Sequence, residues 1–544
     1  MISKVAAEYP YIVLDDARHY VVWLRRLSEP GIYPDDPIAD SFLAVTPWLY
    51  KRLYWPFGKL GIEPLLVHPL VLLPSMAILW SVVSFSLLHR LWKTPAGAAI
   101  ATLVLSYILI AEPASFGLPR GIEYSGVLLL LMFFLNRYVA LTGLAMIVVC
   151  GLYPLAALVA FLTMMLLMLR RNFPYLTNER RAWLTLISAT VGVAVGASLF
   201  FLSTESAGPT MTAEEARNLP NFGRGGRTAY FAPSFTKFYL CNKRAGILGG
   251  CASGTNAIAK LISLLLVVGG AFWLLVSGRA SSLFVRVGLP PPDHQLAPMI
   301  GALAISGIIL FAAAHAVAFH LYLPSRYAKM TLGIDYALVI AICTAAIILI
   351  LVRRIIFLDR EGYATIAVTG ILVAAYFFFS LEKASRVNFI RTDAPAIYEW
   401  LRTTPEDTTV AGFARVIDNV PAFGRRTVFG SLELMIPYKK ANYELIAGRM
   451  TKLAPALYAV SSQEFGQTAR DLEIDFLLIN RDPADELRDL ETWAKNLPQL
   501  EPTVRWLKQG GKPFFWALAE SCATAGTATH VLLDVACLRG ESPH

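Results

Sequence analysis

Ten apolar runs divide the middle of the chain, at about 67–88, 97–111, 127–136, 138–150, 154–170, 183–203, 258–277, 298–319, 331–352 and 363–380. Uncharged runs of this kind read as helices crossing a bilayer, for which about 20 residues span a hydrocarbon core of ~30 Å. Two of them, 127–136 and 138–150, are short for a full crossing. They read as half-length helices, as a tight hairpin, or as one fused helix. The basic loops arbitrate. Arg90 and Lys93, then Arg170, Arg171, Arg180 and Arg181, then Arg353, Arg354 and Arg360 lie in short loops between runs. Short loops rich in Lys and Arg belong on the cytoplasmic side. They share one side only when the two short runs count separately, so the pattern predicts about ten helices.

The flanking regions follow other periods. Residues 1–66 hold no spanning run. There "DARHYVVWLRRL" places Tyr20, Trp23, Leu24 and Leu27 on one helical stripe, the pattern of a helix lying along a membrane surface. Residues 67–380 are the bundle, interrupted by a long polar loop at 204–257. After 381 the pattern changes again. "TTVAGFA" (408–414), "RRTVFGS" and "IDFLLINRD" read as buried strands, while "DAPAIYEWLRTT" and "YELIAGRMTKLAPALYAV" have helical spacing. The expected fold is therefore mainly α, a polytopic transmembrane helix bundle, with a C-terminal soluble α/β domain over 381–544. Alternation of sides puts 1–66, the loop near 112–126, the loop 204–257 and the C-terminal domain together on the outer face.

Composition agrees. Of 544 residues 56% are hydrophobic and 16% charged, and the mean hydropathy is +0.53; soluble domains carry roughly a quarter charged residues. The net charge of +9 sits mainly in loops between runs. There it sets topology and meets lipid headgroups, so nucleic acid is not an expected partner. Cys241 and Cys251 share the long outer loop and Cys522 and Cys537 the C-terminal domain; each pair suits an oxidising compartment, with free thiols as the alternative. The opening "MISKVAAEYPYIV" is too polar for a signal peptide.

Candidate chemistry collects on the outer face. Asp15 and Asp16 stand just before the Tyr20–Trp23 stripe, where a carboxylate either caps the helix or takes a proton from a hydroxyl. Asp35, Asp36 and Asp40 lie in "YPDDPIAD", a turn by composition; Asp36 and Asp40 are candidate ligands of a divalent cation through oxygen. Glu112, Arg120 and Glu123 occupy the next outer loop. Arg326 and Lys329 follow in "HLYLPSRYAKM" with His320 and Tyr327, and an arginine there either grips a phosphate or reaches for a headgroup. Arg224, Arg227, Lys243 and Arg244 of the long loop are further contacts for an anionic substrate. His315 reads as a packed histidine. Asp335 and Lys260 are expected near helix ends, leaving helix interiors almost free of charge, which argues against a transporter.

"LDDARHY" followed by "IYPDDPIAD", many helices and an outer C-terminal domain resemble the GT-C glycosyltransferases. These move a sugar from a polyprenyl phosphate or diphosphate carrier to an acceptor at the outer face. The resemblance implies a catalytic carboxylate at Asp15 or Asp16, a second acidic position at Glu112 or Glu123, and a carrier-phosphate arginine at Arg326 or Arg120, with Lys329 beside it. The implied partners are a polyprenyl-phosphate-linked sugar, membrane lipid and a saccharide, lipid or protein acceptor, at the cytoplasmic membrane. In that family a transmembrane helix precedes the acidic loop. Here either the following helix carries residues 1–66 across, or a further helix lies ahead of Met1. A second reading is a membrane scaffold of envelope polysaccharide assembly that docks partners through 381–544.

Overall fold

The computed structural model describes residues 10–109, 119–169, 179–204, 208–251, 254–355 and 389–541. Glu112, Arg170, Arg171, Arg360 and the run 363–380 lie outside them.

The described residues begin with a strand β1 (Ile12–Leu14), a single turn α1 (Ala17–Tyr20) and a 3-10 segment Val22–Leu27. Helices α2 (Pro37–Val45) and α3 (Trp48–Lys59) follow. The bundle consists of α4 (Leu73–Leu91), α5 (Pro95–Leu109), α6 (Glu123–Leu135), α7 (Val139–Leu152), α8 (Pro154–Leu169), α9 (Glu179–Thr204), α10 (Gly254–Leu264), α11 (Gly270–Val276), α12 (Leu296–Ala316) and α13 (Pro324–Ile355). Among the described residues five helices are long and apolar enough to cross a membrane. The short pair is two helices: Asn136–Tyr138 break the chain between α6 and α7, with Arg137 at φ 58°. Small residues let the bundle close. At Gly307 on α12, a Cβ would lie 1.9 Å from Thr331 Oγ1 of α13, so only glycine admits this crossing.

Asp335 is where the sequence reading needs correcting. Helix α13 starts at Pro324, earlier than the apolar run, so Asp335 lies about three turns inside it. It is fully buried, and among the described residues neither carboxylate oxygen has a hydrogen-bond partner. Lys260 does stay near a helix start, its Nζ donating to Gly250 O at 2.7 Å.

The C-terminal unit holds β2 (Phe389–Arg391), β3 (Thr409–Ala411), β4 (Thr427–Val428), α14 (Lys440–Leu457), β5 (Phe476–Asn480), α15 (Pro483–Ala494), β6 (Ala523–Gly526) and β7 (His530–Asp534). Five strands form one sheet in the order β4-β3-β5-β7-β6. The β3–β4 and β3–β5 pairs are parallel, and β5–β7 and β6–β7 antiparallel. All of β5 is buried, as the unbroken apolar "FLLIN" requires.

The apolar stripe of the N-terminal segment packs against the C-terminal unit. β1 pairs antiparallel with β2, Ile12 opposite Arg391. The stripe residues Trp23 and Leu24 are fully buried, in one core with Ile397, Phe413 and Ile446 of the C-terminal unit. A 3.6-residue stripe needs an apolar partner, and here protein supplies it instead of lipid. Arg25 fastens this join. Its guanidinium donates to Glu63 Oε1 at 2.9 Å, the Tyr33 hydroxyl at 3.0 Å, Pro421 O at 2.8 Å and Ala422 O at 3.0 Å. A buried charge so fully hydrogen-bonded is tolerable.

Candidate functional site at the bundle end

The two adjacent aspartates point to different partners. Asp16 stands just before α1, in the capping position, with a backbone already helical, and its side chain makes no cap bond. Asp15 pairs with Arg18, whose Nη1 also donates to Asn419 Oδ1 at 2.8 Å. Asp16 turns to the bundle instead, its Oδ2 accepting from Arg120 Nη2 at 3.0 Å. Arg120 sits in the 3-10 turn Pro119–Ile122 that leads into α6, and the first residue of α6 is the buried Glu123.

Behind Asp16 stands a network from three parts of the chain. His19 Nδ1 is 3.9 Å from Asp16 Oδ1, and His19 Nε2 is 3.1 Å from Glu433 Oε1. Arg227 of the long loop also pairs with Glu433, at 2.7 Å. Burial raises the Glu433 carboxyl, but the His19 hydrogen bond and the charges of Arg227, His19 and Arg18 outweigh it and hold it at about 2.

The floor comes from the α12–α13 turn. Tyr322 is held at φ 62°, a region costly for a residue with a side chain, and its hydroxyl stands 3.5 Å from that of Tyr438. Arg326 follows in the first turn of α13, within electrostatic reach of Tyr322, Tyr153, Glu123 and Tyr438. Tyr20 lies within electrostatic reach of Tyr322, Asp16, Arg120 and Arg326, which brings these groups to one neighbourhood where the bundle meets the C-terminal unit. Among the described residues no ion pair or side-chain hydrogen bond engages Arg326. Desolvation raises the Tyr20 phenol, keeping it a proton donor. Lys439 lies nearby, its buried Nζ without a hydrogen-bond partner among the described residues and 4.5 Å over the ring of Phe42; burial lowers it to about 7.

The long loop buttresses Arg326. Cys241 and Cys251 are disulfide-bonded. Within the loop they close, Lys243 O accepts from Ser325 Oγ at 3.0 Å and Arg244 O from Ser325 N at 3.2 Å. His315 hydrogen-bonds Ala245 O at 3.0 Å, so it is an anchor of the same loop and not merely packed. Arg244 reaches towards Tyr438, Tyr322 and Arg326, while Arg224 and Lys243 are exposed.

Other expected residues stand apart. Lys329 is exposed on α13. Asp36 caps α2, accepting from Ile38 N at 2.8 Å, and burial raises it to about 6. Asp40 pairs with Arg26. Among the described residues no three His, Cys, Asp or Glu side chains converge as metal ligands. In this turn Asp36 Oδ1 is engaged in the cap and Asp40 in an ion pair. Glu433, Tyr438 and Lys439 had no signal in the sequence beyond an unremarkable "LELMIPYKK"; only the docking of the C-terminal unit brings them here.

No protein-family profile and no curated relative matches the chain. Its arrangement is similar to that of several solved structures. The Archaeoglobus fulgidus oligosaccharyltransferase in the apo form is 12% identical over 90% of this chain and 69% of that one, with a TM-score of 0.45. The same enzyme tethered to an acceptor peptide gives 12% identity, 92% and 70% coverage and 0.47. ArnT from Cupriavidus metallidurans bound to undecaprenyl phosphate gives 14%, 98% and 96%, and 0.39. Similarities of this size assign no role to any residue.

Proposed function

We propose that the chain is an integral-membrane glycosyltransferase that moves a sugar from a lipid-phosphate carrier to an acceptor. The observation that carries this reading is Arg326: a cation at the bundle end, unpaired among the described residues and facing phenols, across a shared space from an ionisable carboxylate held by Arg120. A guanidinium so placed suits a phosphate, which it can grip through two oxygens.

Each group has a part. Asp16, rather than Asp15, accepts the proton of the acceptor hydroxyl as that oxygen attacks the anomeric carbon. The bond from that carbon to the phosphate oxygen breaks, and Arg326 with the Tyr322 and Tyr438 hydroxyls receives the developing charge. Attack from the face opposite the phosphate inverts the anomeric centre. The exposed Arg180 and Arg181 and the Arg90 end of the bundle then face the cytoplasm. The site, the C-terminal unit and the two disulfides, Cys241–Cys251 and Cys522–Cys537, lie on the other, oxidising side.

Lipid extracts of cells carrying substituted protein test this whatever the sugar is. With Asp16→Asn, mass spectrometry is expected to show an accumulated lipid-phosphate-linked sugar. Asp15→Asn is expected to cause far less, because Asp15 pairs with Arg18 of its own turn and not with the bundle. Lipid pools unchanged by Asp16→Asn and by Arg326→Gln would refute the reading.

A further inference from the structure

Of the four arginines around the site, two are matched by carboxylates and two are not. Arg120 has Asp16 and Arg227 has Glu433. Arg244 makes only a long side-chain bond, 3.4 Å, to the Arg227 carbonyl, and among the described residues Arg326 makes none. The unmatched pair is held together from the backbone. Ser325, next to Arg326, is bonded by the carbonyls of both Lys243 and Arg244 inside the disulfide-closed loop. Both guanidiniums lie within electrostatic reach of Tyr322 and Tyr438. Like charges confined this way repel, and burial adds to the cost for Arg244. An anion relieves both.

The number of forks indicates which anion. A sugar phosphodiester has two unesterified oxygens, and one guanidinium satisfies both. A diphosphate diester has four, enough for two guanidiniums on neighbouring phosphorus centres. We propose that Arg244 is a second carrier-binding group, and that the site takes a polyprenyl diphosphate in preference to a monophosphate, Arg326 on one phosphate and Arg244 on the other. This rests on the lipid-carrier reading given above.

The full chain in lipid nanodiscs, titrated with undecaprenyl phosphoryl-glucose and undecaprenyl diphosphoryl-glucose under native mass spectrometry, tests it. The diphosphate is expected to bind at least about tenfold more tightly, the contribution of one charge-assisted fork. Arg244→Gln should shrink that ratio below about threefold, and Arg326→Gln should weaken both lipids. Should Arg244→Gln fail to fold, Arg244→Lys reads the same ratio, which falls because a point charge replaces a fork. Equal binding of the two lipids by the parent protein, or a ratio untouched by the Arg244 variants, overturns the diphosphate assignment and leaves the carrier reading standing. Retention of neither lipid overturns both.

Discussion

Glu433 and Asp36 make stability depend on pH with opposite signs. The folded state holds Glu433 at about 2 against an ordinary 4.5. Its stabilisation is therefore present above 4.5 and lost as pH falls through 2. Asp36 is raised from 3.8 to about 6, so its contribution is complete below 3.8 and lost as pH rises through 6. Thermal melts of Glu433→Gln are expected to show a loss of order 2 kcal/mol at neutral pH that narrows in acid. Asp36→Asn keeps a cap without the charge, and should flatten the fall in melting temperature between pH 4 and 7, a difference of up to about 3 kcal/mol. Unchanged pH profiles in both variants would contradict these environments. At this scale the sequence marked Asp16, Arg120, Glu123, Arg326 and Arg244 by residue type and loop. It left Asp15 and Asp16 equivalent. Their difference is a matter of direction about a helix start, and no local pattern encodes which of two neighbours meets an arginine a hundred positions away.

Among elements, the bundle was the legible part. Apolar run length fixes a crossing helix almost alone, and the break at Asn136–Tyr138 followed from where Lys and Arg collect. Less legible was the N-terminal stripe, because Trp23 and Leu24 would present the same period to lipid as to protein. The β6–β7 hairpin was also missed: "ATAG" has too little apolar character to announce a strand. Helix contacts depend on details finer than hydropathy. Gly307→Val would put a branched side chain where Thr331 Oγ1 already lies, forcing α12 from α13. A loss of about 1–3 kcal/mol is expected in detergent melts. Because Arg326 lies in the first turn of α13, the same variant should also weaken retention of polyprenyl phosphates. A Gly307→Val protein with parental melting would mean the crossing is loose.

Across the whole molecule, the join between the N-terminal segment and the C-terminal unit decides what kind of protein this is. A scaffold with a detachable docking domain needs a C-terminal unit with its own core. Here that core includes Val13, Trp23, Tyr33 and Phe42, Arg25 spends its hydrogen bonds on Pro421 and Ala422, and β2 pairs with β1. Removing residues 10–63 would bare these apolar faces and leave the Pro421 and Ala422 carbonyls without their donor, at roughly 1–3 kcal/mol for each buried group left unsatisfied. Residues 389–541 expressed alone are thus expected to lack a cooperative thermal transition, whereas co-expression with residues 10–63 should restore one. A sharp transition in the isolated unit would favour the detachable scaffold. Its absence would mean that the unit depends on residues 10–63 to complete its core, since the strand and side chains that do so flank Asp16, which reaches the bundle through Arg120.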